Sequence, residues 1–210
     1  MPKKKLARII SEIFNGFFTM LLTPSLVFLI SDIPIIYKII FPLGYILAPL
    51  GTFYILKKLG KASDYEFTKR EERPLFFTIV TISFLVLFIT STLILKDTTI
   101  STVTLASLIA STILTIVSLF WKMSGHMTYS TLLFFTLIFL FPNLSFLWLL
   151  FIFTPAIAWS RVELGKHTWL QTIAGVLVSI AISITFFFVL WYNTCINGKS
   201  QYYTIKREIT

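Results

Sequence analysis

The chain has 210 residues, of which 56% are hydrophobic and 13% charged, and a formal net charge of +9; its mean hydropathy is +0.86. A soluble domain of this size carries about a quarter charged residues, so a water-soluble globule is excluded. Helix-length apolar windows fill the sequence from end to end, and the reading is one integral membrane domain over residues 1–210, with a polar-motif core over about 58–191.

In chain order, membrane crossings are expected near residues 12–31, 35–56, 75–95, 100–121, 128–142, 145–160 and 169–191. Turns at Asp32-Ile33-Pro34, Lys96-Asp97 and Pro142-Asn143 separate three of the pairs. Seven helices result, with six or eight as neighbouring counts, because the fifth and sixth windows are short enough for a tilted or re-entrant pair. No window alternates with period two, so the expected fold is an all-α polytopic transmembrane bundle and not a barrel. "MPKKKLAR" ahead of the first run resembles a secretory leader, but no small-x-small pattern follows it, so that run is read as an uncleaved first helix. The lone Cys195 can form no internal disulfide, and residues 199–210 read as an exposed tail.

Ionisable residues at a membrane boundary are expensive unless they do something. They gather in three stretches: "SDYEFTKREERP" (63–74), "WKMSGH" (121–126) and "WSRVELGKHTWLQTIAG" (159–175). Two crossings separate each stretch from the next, so all three fall on one membrane face. Both histidines of the chain, His126 and His167, lie there with Lys69, Arg70, Arg73, Lys122, Arg161 and Lys166. Imidazoles ringed by fixed cations suit phosphate chemistry, because guanidinium groups bind the anion bidentately and histidine moves protons or attacks phosphorus near neutral pH. A metal centre is the poorer reading, since two histidines amid positive charge and without a thiolate bind a divalent cation weakly. Taken alone, each histidine reads as a boundary or capping residue and "TKREERP" as a solvated basic loop; the case rests on their combination.

The pattern Arg73-Pro74, then Ser124-Gly125-His126, then Ser160-Arg161 followed by His167 resembles the three motifs of the type 2 phosphatidic acid phosphatase family. That superfamily includes lipid phosphate phosphatases and vanadium haloperoxidases, and the likeness is to its small bacterial membrane members. Three positions depart from the family pattern. Glu66 stands where a lysine is usual, seven residues before Arg73; Met123 replaces a proline; and Gln171 replaces an aspartate four residues after His167. Lys69 or Arg70, one turn before Arg73 if the stretch is helical, is expected to supply the missing cation. Gln171 shares a helix face with His167 and can accept its Nδ1 proton, but without a negative charge.

The resemblance implies a lipid phosphate or pyrophosphate phosphatase working through a phosphohistidine, with no metal and no organic cofactor. His167 would be the nucleophile and His126 the acid and base. Arg161 and Arg73 with Lys69 or Arg70 would clamp the phosphoryl oxygens, Ser124 and the Gly125 amide would donate to them, and Gln171 would orient His167. The implied partner is a membrane lipid such as phosphatidic acid, phosphatidylglycerol phosphate, an isoprenoid pyrophosphate or lipid A, and no nucleic acid is implied. The competing class is a catalytically weak or inactive member that binds or transports phospholipid. The expected location is a bacterial inner membrane. Thirteen Lys/Arg fall on the site's face against five opposite (Lys38, Lys96, Lys199, Lys206 and Arg207), which favours a cytoplasm-facing site.

Overall fold

The computed structural model describes residues 2–197, with side-chain surroundings for 3–188. The stretch 199–210 and the side chain of Cys195 lie outside the described residues. Among the described residues eight α-helices follow one another: α1 (Pro2–Ile13), α2 (Gly16–Ile30), α3 (Ile35–Lys58), α4 (Arg73–Thr90), α5 (Thr98–Ser118), α6 (Gly125–Leu140), α7 (Phe153–Glu163) and α8 (Trp169–Asn197). Among the described residues there is no strand, and six helical segments are long and apolar enough to cross a membrane. The protein is an integral membrane helical bundle.

The amino-terminal run is divided, not continuous. Asn15 interrupts it because its side-chain oxygen accepts from the amides of Phe17 at 2.9 Å and Phe18 at 3.3 Å, capping α2 two residues after α1 has ended. α1 is amphipathic in a particular way: Ala7 and Ser11 are buried against the bundle, while Leu6, Ile9 and Ile13 are exposed. Lys3, Lys4, Lys5 and Arg8 are exposed as well. That division suits a helix lying in the membrane interface.

α3 is the outermost span, with only 17% of its most apolar window buried, and its exposed Ile and Leu side chains face where lipid would be. α4 ends in a π-turn over Ser91–Leu95 and a left-handed Lys96 with φ 54°, after which Asp97 caps α5 by accepting from the Ile100 amide at 2.8 Å. Ala106, Ser107, Ala110 and Ser111 give α5 a small-residue face that lets α4 approach closely, and Thr81 donates across that seam to Ser111 Oγ at 3.1 Å.

The two short windows resolve differently. The sixth begins as a 3-10 helix over Ser145–Ile152 and becomes α only at Phe153. Because a 3-10 helix rises faster per residue, 145–163 extends over roughly 32 Å, enough for the hydrocarbon core. The fifth, α6, has 16 residues and sits in the centre of the bundle between α2 and α8, with His126, Thr128, Tyr129, Ser130 and Thr131 all buried. One end of the bundle therefore gathers the amino termini of α2, α4, α6 and α8.

Candidate functional site

Three local structures deliver the polar side chains to that end. The first is the loop between α3 and α4. Asp64 Oδ1 accepts from the amides of Glu66 at 2.9 Å and Thr68 at 3.1 Å, and Phe67 adopts a left-handed conformation with φ 49°. Phe67 is buried and stacks on Phe76 at 4.1 Å between centroids, which holds a conformation that a bulky residue rarely adopts. Its carbonyl accepts from Arg73 Nε at 2.8 Å, and the Met123 carbonyl accepts from Arg73 Nη1 at 2.9 Å. Arg73 is thus buried and fixed at the start of α4.

The second structure is the start of α6. Ser124 is the N-cap, its Oγ accepting from the Met127 amide at 3.4 Å, and its own amide donates to the Gln171 carbonyl at 3.1 Å. Two glycines let neighbours crowd this point. A Cβ at Gly16 would lie 2.8 Å from the His126 amide nitrogen and 2.9 Å from its Cα, and one at Gly175 would lie 2.8 Å from the Ser124 carbonyl oxygen. At Gly125 an added Cβ would meet only Phe77 at 3.6 Å, so packing does not demand glycine there.

The third is the turn after α7. Gly165, with φ 66°, takes the left-handed position, the Gly165 amide returns to the Val162 carbonyl at 2.9 Å and the Lys166 amide to the Arg161 carbonyl at 3.0 Å. This is a Schellman closure, and the His167 amide adds a bond to the same Arg161 carbonyl at 3.2 Å. The Arg-x5-His spacing follows from that turn: it folds His167 back beside Arg161. Ser160 is buried with its hydroxyl given to the Ile157 carbonyl at 2.7 Å.

Arg161, fully buried, is the hub. Its Nη1 donates to Ser11 Oγ on α1, to Glu66 Oε1 at 2.8 Å and toward His126 Nε2 at 3.2 Å, and its Nη2 donates to Glu66 Oε2 at 3.3 Å. Lys166 Nζ is 3.1 Å from Glu66 Oε2 and donates to Thr68 Oγ1 at 2.7 Å. His126 Nε2 lies 3.6 Å from Glu66 Oε1. Because a guanidinium only donates, the ring nitrogen that faces it presents a lone pair.

Gln171 Oε1 accepts from the Thr168 amide at 3.1 Å and lies 3.2 Å from His167 Nδ1. An atom that accepts from a backbone amide is the carbonyl oxygen of the carboxamide, so His167 carries its proton on Nδ1 and its Nε2 holds a free pair. Burial lowers the pKa of His167 well below the usual imidazole value, and the charges of Arg73, Arg161 and Lys122 lower it further. Burial, then Arg73, Arg161 and Lys166, push the Lys122 ammonium down to about 8. Burial by itself would raise Glu66, but the hydrogen bonds and charges of Arg161 and Lys166 outweigh it and hold that carboxyl below its ordinary value.

The structure therefore brings together His126, His167, Arg73, Arg161, Ser124, Gly125 and Gln171. It does not bring Lys69 or Arg70 to them. The helix assumed through that stretch is only a 3-10 turn over Arg70–Glu72, preceded by an extended Lys69. Lys69 is exposed, and Arg70 turns to Glu71 and the Leu119 carbonyl. The lysines whose charges act on the histidines are instead Lys166, on His126, and Lys122, on His167. Sequence reasoning missed Ser11, Gly16 and Glu66 as parts of the site. Only Glu66 left a signal, as an acid at a position usually basic, and the sign of that change says nothing about where the side chain goes.

A cavity of about 40 Å³ lies beside the hub, with Glu66, Arg73, Asn15, His126 and Tyr129 among its walls and Phe76 and Phe77 as apolar lining. Residues 117–195 match the family model described as the PAP2 superfamily, a stretch that contains the second and third motifs but not Arg73 or Glu66. No curated protein and no solved structure matches the chain.

Proposed function

With residues 117–195 assigned to the PAP2 superfamily, we propose that this integral membrane protein is a phosphatase of lipid phosphates or pyrophosphates working through a phosphohistidine. The observation that carries the reading is the hydrogen bond at His167. Nδ1 is committed to Gln171 Oε1, so Nε2 is the nucleophilic atom, and the lowered pKa keeps it unprotonated.

In the first step His167 Nε2 attacks phosphorus, the N–P bond forms and the P–O bond to the lipid breaks. His126, whose Nε2 pair faces Arg161 before the phosphate arrives, takes up a solvent proton with it and gives that proton to the leaving oxygen. In the second step water attacks phosphorus and passes a proton to His126 as the N–P bond breaks, which releases inorganic phosphate and restores both rings. Arg73, Arg161, Lys122 and Lys166 balance charge on the phosphoryl oxygens, and the amino termini of α4, α6 and α8 add positive potential at the same end. A site at the end of a bundle suits an amphiphile, whose headgroup reaches the cations while its tail stays in the bilayer. Pairing of Ser11 with Arg161 puts the basic α1 on the site's face, which supports a cytoplasm-facing site in an inner membrane.

The test is phosphate release from a panel of phosphatidic acid, phosphatidylglycerol phosphate, isoprenoid pyrophosphate and lipid A by the purified protein in detergent, with chelator present. Release that persists in chelator and vanishes in His167→Ala is expected. No release from any substrate refutes the reading. Gln171 in place of a carboxylate favours a second reading, a weak or inactive member that binds headgroups. That reading requires headgroup binding without release, unchanged in His167→Ala.

A further inference from the structure

We infer that Glu66 is an internal occupant of the anion pocket: its carboxylate holds the places on Arg161 and Lys166 that substrate phosphoryl oxygens would take, so a phosphate enters only by displacing it. The inference rests on the proposed phosphate site but not on turnover.

Three observations lead to it. A carboxylate and two oxygens of a phosphoryl group present the same spacing to a guanidinium fork, and Glu66 uses it in full, with Oε1 on Nη1 at 2.8 Å and Oε2 on Nη2 at 3.3 Å. Lys166 Nζ at 3.1 Å adds a second cation, so the carboxylate holds the two positive charges that a bound phosphoryl group would need. The acid is also placed there by construction. The Asp64 turn, the left-handed Phe67 and its stacking on Phe76 hold Glu66 inward.

Access gives the third argument. The adjoining cavity of about 40 Å³ is walled by Glu66, Arg73 and His126 but not by Arg161 or Lys166, so a phosphoryl group entering through it meets the carboxylate before those two cations. The buried Tyr129 hydroxyl, one of its walls, and Arg161 Nε have no hydrogen-bond partner among the described residues. Outward rotation of Glu66 would enlarge this space and free Arg161 and Lys166 at once. Glu66 then acts as a specificity device. A ligand must compete with a bidentate carboxylate, which favours the doubly charged phosphomonoester or diphosphate over a singly charged phosphodiester.

The experiment compares inorganic phosphate binding by the wild-type protein and Glu66→Gln in detergent, by calorimetric titration. Glu66→Gln should bind phosphate at least about tenfold more tightly, as expected when a charge-assisted competitor is removed. Equal or weaker binding, or no binding by either protein, overturns the inference. Should Glu66→Gln fail to fold, hydrogen exchange on the wild type decides. Peptides covering residues 63–69 should exchange faster at saturating phosphate, and unchanged or slower exchange overturns it. Tight phosphate binding by Glu66→Gln without lipid phosphate release by either protein would refute the phosphatase and leave this inference standing.

Discussion

Replacing Gly16 by alanine tests whether the start of α2 sets the position of His126. The three atoms nearest to the added Cβ all belong to His126: its amide nitrogen at 2.8 Å, its Cα at 2.9 Å and its Nδ1 at 2.9 Å. Two of these are backbone, so rotation of a side chain cannot relieve the contact. Ordinary carbon contacts lie near 3.5–4.0 Å, and α6 would have to retreat by roughly half an ångström or more. Overpacking of this kind costs about 1–3 kcal/mol, partly offset by the better helix propensity of alanine. The catalytic effect should be larger than the loss of stability, because misplacing a reacting group by about 1 Å can cost about a hundredfold in rate. Gly16→Ala should lower kcat for lipid phosphate about tenfold or more and lower the thermal midpoint by several degrees. Gly44 and Gly51, where nothing lies within 4 Å of an added Cβ, provide controls whose alanine variants should match the wild type. A Gly16→Ala protein with wild-type kcat and wild-type thermal midpoint would refute the claim that this close approach places the imidazole.

Two further predictions concern proton positions. Gln171→Leu removes the acceptor at His167 Nδ1 and should reduce kcat about tenfold with little change in KM. Gln171→Glu keeps the shape and adds a charge that favours the imidazolium. The depressed pKa of His167 then rises, and because the proposed nucleophile is the neutral ring, the acid limb of the pH–kcat profile should move to higher pH. A limb that stays in place shows that Gln171 is not the partner of that ring. Lys122, with its ammonium pushed down to about 8, is charged below that pH and neutral above it. Phosphate affinity should therefore weaken as pH rises through about 8, and Lys122→Arg, whose guanidinium keeps its proton, should abolish that limb. Retention of the alkaline limb in the variant rules out Lys122 as its source.

Most of the bundle was legible in the sequence because hydropathy windows report burial in lipid directly, and the crossings at 35–56, 75–95 and 100–121 lie close to α3, α4 and α5. The division between α1 and α2 was not, since it depends on a single Asn15 turning its side chain onto two amides. Nor was the 3-10 opening at Ser145–Ile152, where an apolar composition leaves the choice of winding to packing. At the site, spacing alone related His167 to Gln171, because both belong to one local turn of chain. Spacing misplaced Lys69 and Arg70, because projecting one turn back from Arg73 presumes an α-helix where the chain makes a 3-10 turn after an extended Lys69. Gly16 and Ser11 owe their roles to contacts across the fold, and no local pattern encodes those.

Ser11 and Arg161 are separated by 150 positions, yet the hydroxyl of one holds the guanidinium of the other. Experimenters commonly fuse purification handles and fluorescent reporters to the front of a membrane protein. Here such cargo would hang from a lever ending at the cation cluster, and a bulky or tightly joined fusion would depress activity without touching expression or membrane insertion. Recombinant forms carried behind a long Gly/Ser spacer avoid that strain.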